Sequence, residues 1–306
     1  MTTFRQTSIR AHLQLRARVL QAIRAFFEAQ GYLEVETPYR LPAPAPEAHI
    51  EPLPCEGGFL HTSPELCMKR LLAAGYPRIY QVCRCFRAGE RGGRHLPEFT
   101  LLEWYTAGQA FPALMDQTED LVRTVARAVG APDRLVYQGQ GIHLEAPFRR
   151  LTVADAFTRY AGRSAADALA DERFDELMGL AIEPRLGWDL PVLLHDYPAA
   201  CAALARRRPA DPDLAERFEL YIAGLELCNG FGELTDPVEQ RARFKDELAR
   251  RAAAGRRPTP LPEPFLAALA HMPPAAGNAL GVDRLVMLLA DTPNIDDVTA
   301  FTPEEL

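Results

Sequence analysis

Apolar positions Leu13, Leu15, Val19, Leu20, Ile23, Phe26 and Phe27 recur mostly at helical spacing through residues 11–30, and Gly31 follows where that helix should end. GYLEVETP (31–38) alternates as a short strand stopped by Pro38, and a Pro-rich loop occupies residues 41–49. Pro64 and Glu65 open a second helix that stops at Gly75. Residues 78–105 read as a strand ending in Arg87, a Gly-rich loop, and a strand beginning near Pro97. Period-two alternation puts Phe99, Glu103 and Tyr105 on one face of that second strand. An amphipathic helix is expected over 111–130, Ala-rich helices over 151–182 and 199–208, and a strand from Trp188 to His195. Residues 215–235 return to strand alternation, with a two-residue turn at Ala223-Gly224. A charged helix covers 239–254, and a Gly-led turn runs into a final strand or helix over 277–290. The mixture predicts an α+β fold: one domain over 1–306 with a helical insertion near 151–210.

Bulk properties narrow the function. The chain has 306 residues, 48% of them hydrophobic and 25% charged, which is ordinary for a soluble globular enzyme. No apolar run approaches the roughly 20 residues that span a bilayer, and no signal peptide is visible. The net charge of −7, with positive charge scattered and carried almost wholly by Arg, argues against a large nucleic-acid partner. Lys69 and Lys245 are the only lysines. Six cysteines show neither a C-x-x-C pair nor zinc spacing, as expected for buried thiols in a reducing cytoplasm. Cys83 and Cys85 fall on the same face of one strand, which suits a disulfide poorly.

Three blocks carry candidate chemistry. The hairpin of 78–105 gathers Arg87, a mobile basic loop (Arg91, Arg94, His95), Phe99 and Glu103, groups suited to a nucleotide triphosphate beside a small cation. In 217–237 the turn places Glu226 diagonal to Glu219, a pair of hard oxygen donors suited to Mg²⁺. Asn229 and Glu233 follow, interleaved with Gly230 and Gly232. In 277–288 small residues lead to Asp283-Arg284, a pattern that reads alone as a helix-start turn and, beside the other blocks, as backbone brought close to a ligand. His61 lies just before Ser63-Pro64-Glu65, within reach of the same pocket but more simply read as a packing residue, and His195-Asp196 lacks a matching serine.

Together these blocks resemble the catalytic core of the class II aminoacyl-tRNA synthetases. GYLEVETP resembles motif 1, FRAGERGGRHLPEFTLLEWY motif 2 and GNALGVDR motif 3, while TSPELCMKRLL and ELCNGFGELTD resemble the lysine-type members. The likeness covers nearly the whole chain, but motif 1 begins near residue 31, leaving no room for an anticodon-binding domain. That layout is similar to the elongation factor P lysine ligases, which join lysine or β-lysine to a lysine of that factor.

The resemblance implies an antiparallel sheet flanked by helices and a homodimer formed through the motif 1 region. It also implies ATP and Mg²⁺. Arg87 would contact the substrate carboxylate and α-phosphate, and Phe99 would stack on adenine, with Arg284 on its other face and near the γ-phosphate. Arg94 and His95 would reach the outer phosphates, and Glu219 and Glu226 would hold the metal. Glu65 would receive one substrate amino group; Glu103, Tyr105, Asn229 and Glu233 would surround the other. Charge agrees independently, since an enclosed pocket must supply carboxylates to both ammonium groups of a lysine-like acid.

Three positions depart from the pattern. The adenine-contacting glutamate of motif 2 aligns with Gly89, so that Glu90, one residue later, would have to replace it. Leu96 stands where asparagine is common. Ala279 replaces the first glycine of motif 3 and would narrow the amino-acid pocket, favouring (R)-β-lysine over lysine. The implied activity is adenylation of that acid and transfer to elongation factor P; the alternatives are a minimal tRNA-charging enzyme or a non-catalytic regulatory subunit.

Overall fold

A computed structural model describes residues 4–145 and 147–306. The principal elements run α1 (Arg10–Ala29), β1 (Leu33–Glu34), α2 (Glu65–Ala73), β2 (Arg78–Phe86), β3 (Glu98–Ala107), α3 (Phe111–Ala128), β4 (Arg149–Thr152), β5 (Val192–Pro198), β6 (Asp211–Ile222), β7 (Leu225–Gly232), α4 (Pro237–Ala253), β8 (Ala275–Gly281) and α5 (Val282–Leu289). A nine-stranded sheet has the order β1-β2-β3-β8-β7-β6-β5-β4, with Arg207–Arg208 pairing beside β6. The six central strands are antiparallel, while β1 and β4 pair parallel at the two edges. The fold is therefore α+β, as the hydrophobic pattern and the class II resemblance both imply.

The two faces of β3 show why the alternation matters. Leu102 and Trp104 enter the main core with α1, α3 and α5. Phe99, Leu101, Glu103 and Tyr105 point the other way, toward the face that carries the candidate site. One end of that second face is closed by α2 and the helix Glu263–Leu269. The other end is closed by short helical segments between Val153 and Arg185, which bury Phe157, Phe174, Met178 and Ile182 against β5 and Tyr221.

Several boundaries differ from expectation. Residues 199–208 hold only a 3-10 turn at Ala199–Cys201 and the short strand, because Leu204 and Ala205 are buried beside β6 rather than along a helix stripe. The 151–182 region opens as strand β4 and then breaks into short helices with π-helical turns at Phe157–Ala161 and Met178–Ile182. The strand expected from Trp188 begins at Val192, and only Leu33–Glu34 of GYLEVETP pairs. Gly277 lies within a strand, and the helix starts after Gly281.

Candidate active site

The hairpin of β6 and β7 turns at Ala223 and Gly224, both left-handed (φ 52° and 68°), the backbone that such a two-residue turn demands. Its register slips at Leu220/Tyr221: Glu226 faces Tyr221, but Asn229 faces Glu219. This bulge sends Leu227 and Cys228 together into the core and keeps Glu226 and Asn229, three residues apart, on the site face with Glu219. A second register shift beside Asp196 (φ 59°) turns Tyr197 the same way.

Glu219 is held firmly. Arg217 donates to its Oε1 at 2.5 Å, and the hydroxyls of Tyr197 and Tyr221 donate to Oε2, each at 2.6 Å. Glu226 is half-buried, with Arg284 Nη1 3.5 Å from its Oε2. Burial first, and then the neighbouring Glu219 charge, raise the Glu226 carboxyl above its ordinary range. A third carboxylate, Glu183, joins them from the short helical turn Glu183–Arg185, because Leu186 and Gly187 accept hydrogen bonds from the hairpin tip (2.8 Å from Gly224 N and 2.8 Å from Ala223 N). Burial, then Glu219 and Glu226, push Glu183 up to about 7. Three carboxylates crowded together, two of them with raised pKa values despite Arg217 and Arg284 nearby, fit Mg²⁺, a hard cation that prefers oxygen donors. Sequence reasoning missed Glu183, whose neighbourhood depends on a long-range clamp.

The amino-acid end is a separate chamber. Ser63 Oγ donates to Glu103 Oε1 at 2.5 Å, and Tyr105 donates to Oε2 at 2.9 Å. Burial and then Glu65 raise the Glu103 carboxyl well above the usual range. Glu233 Oε1 and Asn229 Oδ1 are buried without a hydrogen-bond partner among the described residues. Ala279 pairs in register with both Glu103 and Asn229, so its methyl group stands on this floor. A Cβ at Gly277 would come 2.2 Å from the Tyr105 ring and 2.6 Å from Glu233 Oε1. Lys69, which the sequence reading left without a role, places its ammonium between Glu65 Oε1 and Glu233 Oε2, 2.5 Å from each. The signal was present as an i,i+4 pair with Glu65 in a chain with only two lysines.

Between the two chambers lies Arg87. Its guanidinium sits over the Phe99 ring, 4.9 Å from the centroid. Its Nε is buried without a partner, and its ion pair with Glu90 is long, at 3.8 Å. Gly89 has φ 78°, so the loop turns there in a backbone region that a glutamate would occupy only with strain. Arg284 donates to Glu226 O at 2.8 Å and to His95 Nε2 at 2.6 Å. Desolvation and the Arg284 charge lower the His95 pKa, favouring the neutral ring that can accept this bond. The loop is anchored: Arg91 pairs with Glu304 and Asp296 at 2.8 Å each, and Arg94 reaches the Gly224 carbonyl at 3.3 Å. Leu96 packs into the main core. Glu47, also absent from the sequence reading, faces this region and is raised to about 7 by burial, against the pull of Arg87.

His61 lies behind the site rather than among its carboxylates. It donates through Nε2 to the Arg84 carbonyl at 2.6 Å, beside Cys85. His61, Cys83 and Cys85 bring ligand-type atoms within 4.8 Å of one another, but that hydrogen bond occupies the imidazole nitrogen nearest Cys85. The two thiols stay free, 3.9 Å apart. The pair His195–Asp196 is tied to Arg208 instead (2.8 Å).

The arrangement of sheet, loop and carboxylates is that of a class II synthetase core. A family description of class II tRNA synthetases (D, K and N) matches residues 1–305, and the chain belongs to that family. It is 42% identical over 308 residues to the elongation factor P–(R)-β-lysine ligase of Vibrio cholerae serotype O1, covering 95% of each chain. It is 40% identical over 325 residues to the ligase of the same name from Edwardsiella ictaluri, covering 99% of this chain and 98% of that one. It is also 37% identical to the lysine–tRNA ligase of Magnetococcus marinus, but spans only 64% of that protein.

Proposed function

We propose that this protein activates (R)-β-lysine, or lysine, with ATP and Mg²⁺ and transfers it to a lysine side chain of elongation factor P. The observation that carries the reading is a chamber with the orphaned acceptors Glu233 Oε1 and Asn229 Oδ1, together with an uncommitted Arg87 Nε between it and the carboxylate cluster. A carboxylate-bearing diamine satisfies all three. The acceptor follows the relatives, since the chain is 42% and 40% identical to two elongation factor P–(R)-β-lysine ligases and 37% identical to a lysine–tRNA ligase.

In this reading Arg87 grips the substrate carboxylate and the α-phosphate. Phe99 offers its ring to adenine, and Arg94, His95 and Arg284 face the outer phosphates. Glu90, one residue on, makes the contact that Gly89 cannot make. Glu65 receives one ammonium group, while Glu103, Tyr105, Asn229 and Glu233 surround the other. A carboxylate oxygen attacks the α-phosphorus and pyrophosphate leaves. The acceptor's neutral ε-amine then attacks the acyl carbonyl, forming an amide and releasing AMP. Glu219 and Glu226 would hold Mg²⁺, with Glu183 beside them; the bound ion supplies positive charge to the phosphates. A homodimer through the motif 1 edge fits the exposure of Leu33 and Tyr39 there. A protein acceptor fits the acidic net charge better than tRNA does. An intracellular site of action fits six unpaired cysteines, and among the described residues no helix is long and apolar enough to cross a membrane.

The test is ATP–pyrophosphate exchange with lysine and (R)-β-lysine, followed by mass analysis of elongation factor P. Exchange favouring β-lysine with a matching mass gain is expected. Bulk tRNA charging in place of factor modification would overturn the acceptor, and absence of exchange would favour the non-catalytic alternative.

A further inference from the structure

The chamber collects Glu65, Glu103 and Glu233, and its one lysine, Lys69, is only 1% exposed. Glu103 is satisfied by the neutral donors Ser63 and Tyr105. Glu65 and Glu233 come from different elements, α2 and the segment after β7, and the Lys69 ammonium joins them at 2.5 Å each. Lys69 takes one oxygen of each carboxylate, and Glu233 Oε1 remains without a hydrogen-bond partner, as does Asn229 Oδ1.

We propose that Lys69 is a specificity-determining positioning residue, which fixes the free oxygens of Glu65 and Glu233 and sets the chamber's charge to accept two ammonium groups. This rests on the diamino-acid reading above. Lys69 offsets part of the charge that Glu65 and Glu233 share, burial leaves Glu103 and Glu233 short of positive charge, and the two ammonium groups of the substrate supply it while the substrate carboxylate goes to Arg87. Without Lys69, two buried carboxylates would face each other uncompensated; one would take a proton, and both would lose their aim. Lys69 is not a nucleophile here. Despite the opposing effect of burial, the charges of Glu233 and Glu65 raise its pKa above the ordinary lysine value and keep it an ammonium.

The test compares Lys69→Met, Lys69→Ala and Lys69→Arg with the native enzyme in pyrophosphate exchange, using β-lysine, lysine and an analogue with a hydroxyl in place of the terminal ammonium. In Lys69→Met the KM for the diamino acid should rise at least about tenfold, while kcat and the KM for ATP stay within about threefold. Lys69→Arg should retain part of the preference for the diamino acid over the hydroxyl analogue. In Lys69→Ala, propylammonium should lower the KM again, and propanol of similar size should not. Equal rescue by propanol, or an unchanged KM in Lys69→Met, would show that Lys69 only fills space. If Lys69→Met does not fold, the Lys69→Arg preference and the alanine rescue decide. If the native enzyme shows no exchange at all, the activation reading fails. Thermal shifts with the diamino acid against its hydroxyl analogue, in native and Lys69→Arg protein, would then decide on Lys69 separately.

Discussion

Asp283 accepts a hydrogen bond from Arg16 at 2.5 Å through one carboxylate oxygen and from the Thr100 backbone N–H at 2.6 Å through the other. One side chain thus ties α1, the second strand of the 78–105 hairpin and the residue before Arg284. The pair is nearly buried, with Asp283 at 3% and Arg16 at 13% exposure. Breaking a buried pair from one side leaves the partner's charge stranded, at about 3–5 kcal/mol. Asp283→Asn should lose stability of that order in denaturant unfolding, whereas Arg24→Met, which breaks an exposed ion pair with Glu34, should cost less than about 1 kcal/mol.

Arg87 has few internal commitments, so replacing it should affect chemistry more than folding. Arg87→Ala is expected to lower pyrophosphate exchange by about 10³-fold or more, with a melting temperature within about 2 °C of native. A comparable loss of stability would instead make Arg87 a structural residue.

Gly277 leaves room for the Tyr105 ring and Glu233. Gly277→Ala should cost about 1–3 kcal/mol by overpacking and raise the KM for the amino acid more than the KM for ATP. An unchanged amino-acid KM would mean that Tyr105 and Glu233 lie outside the substrate pocket.

Chelation should abolish exchange, and Mg²⁺ should restore it. Glu226→Gln should raise the Mg²⁺ concentration giving half-maximal activity. Because Glu219 is already engaged by Arg217, Tyr197 and Tyr221, Glu219→Gln should also lower the melting temperature. Direct Mg²⁺ titration by calorimetry, in the presence of a nonhydrolysable ATP analogue, provides a readout apart from turnover.

Glu47 titrates in the folded protein near 7 rather than 4.5. A raised acid pKa favours folding when the group is protonated. Its stabilising effect is therefore complete below about pH 4.5 and is lost as pH rises through about 7. Glu47→Gln should match the native melting temperature near pH 4.5 and exceed it at pH 8, by about 2 °C after allowance for solvent access. The opposite trend would mean that Arg87 dominates and holds Glu47 ionised.

Much of the site could be read from local pattern. Parity along β3 separates Glu103 and Tyr105 from Trp104, and Pro64, Glu65 and Gly75 bracket α2. What parity could not supply was the bulge at β7, since regular alternation would send Asn229 to the core when Glu226 faces the site. Residues 199–208 looked helical because alanine favours helices, yet their burial beside β6 overrode that preference. Glu47 and Glu183 reach the site through distant anchors. Arg251 holds the loop carbonyls of Glu47 and Ile50 at 3.0 and 2.7 Å, and the hairpin tip holds residues 186–187. Neither leaves a local signature.

The burial of Lys69 bears on self-acylation. An activated β-lysine released inside the chamber would meet one enzyme amine, and that amine is an ammonium clasped by two carboxylates. The other lysine, Lys245, is exposed on α4. Within the chamber, among the described residues, the acyl group therefore meets no neutral enzyme amine, and an acceptor amine that enters there has no internal competitor.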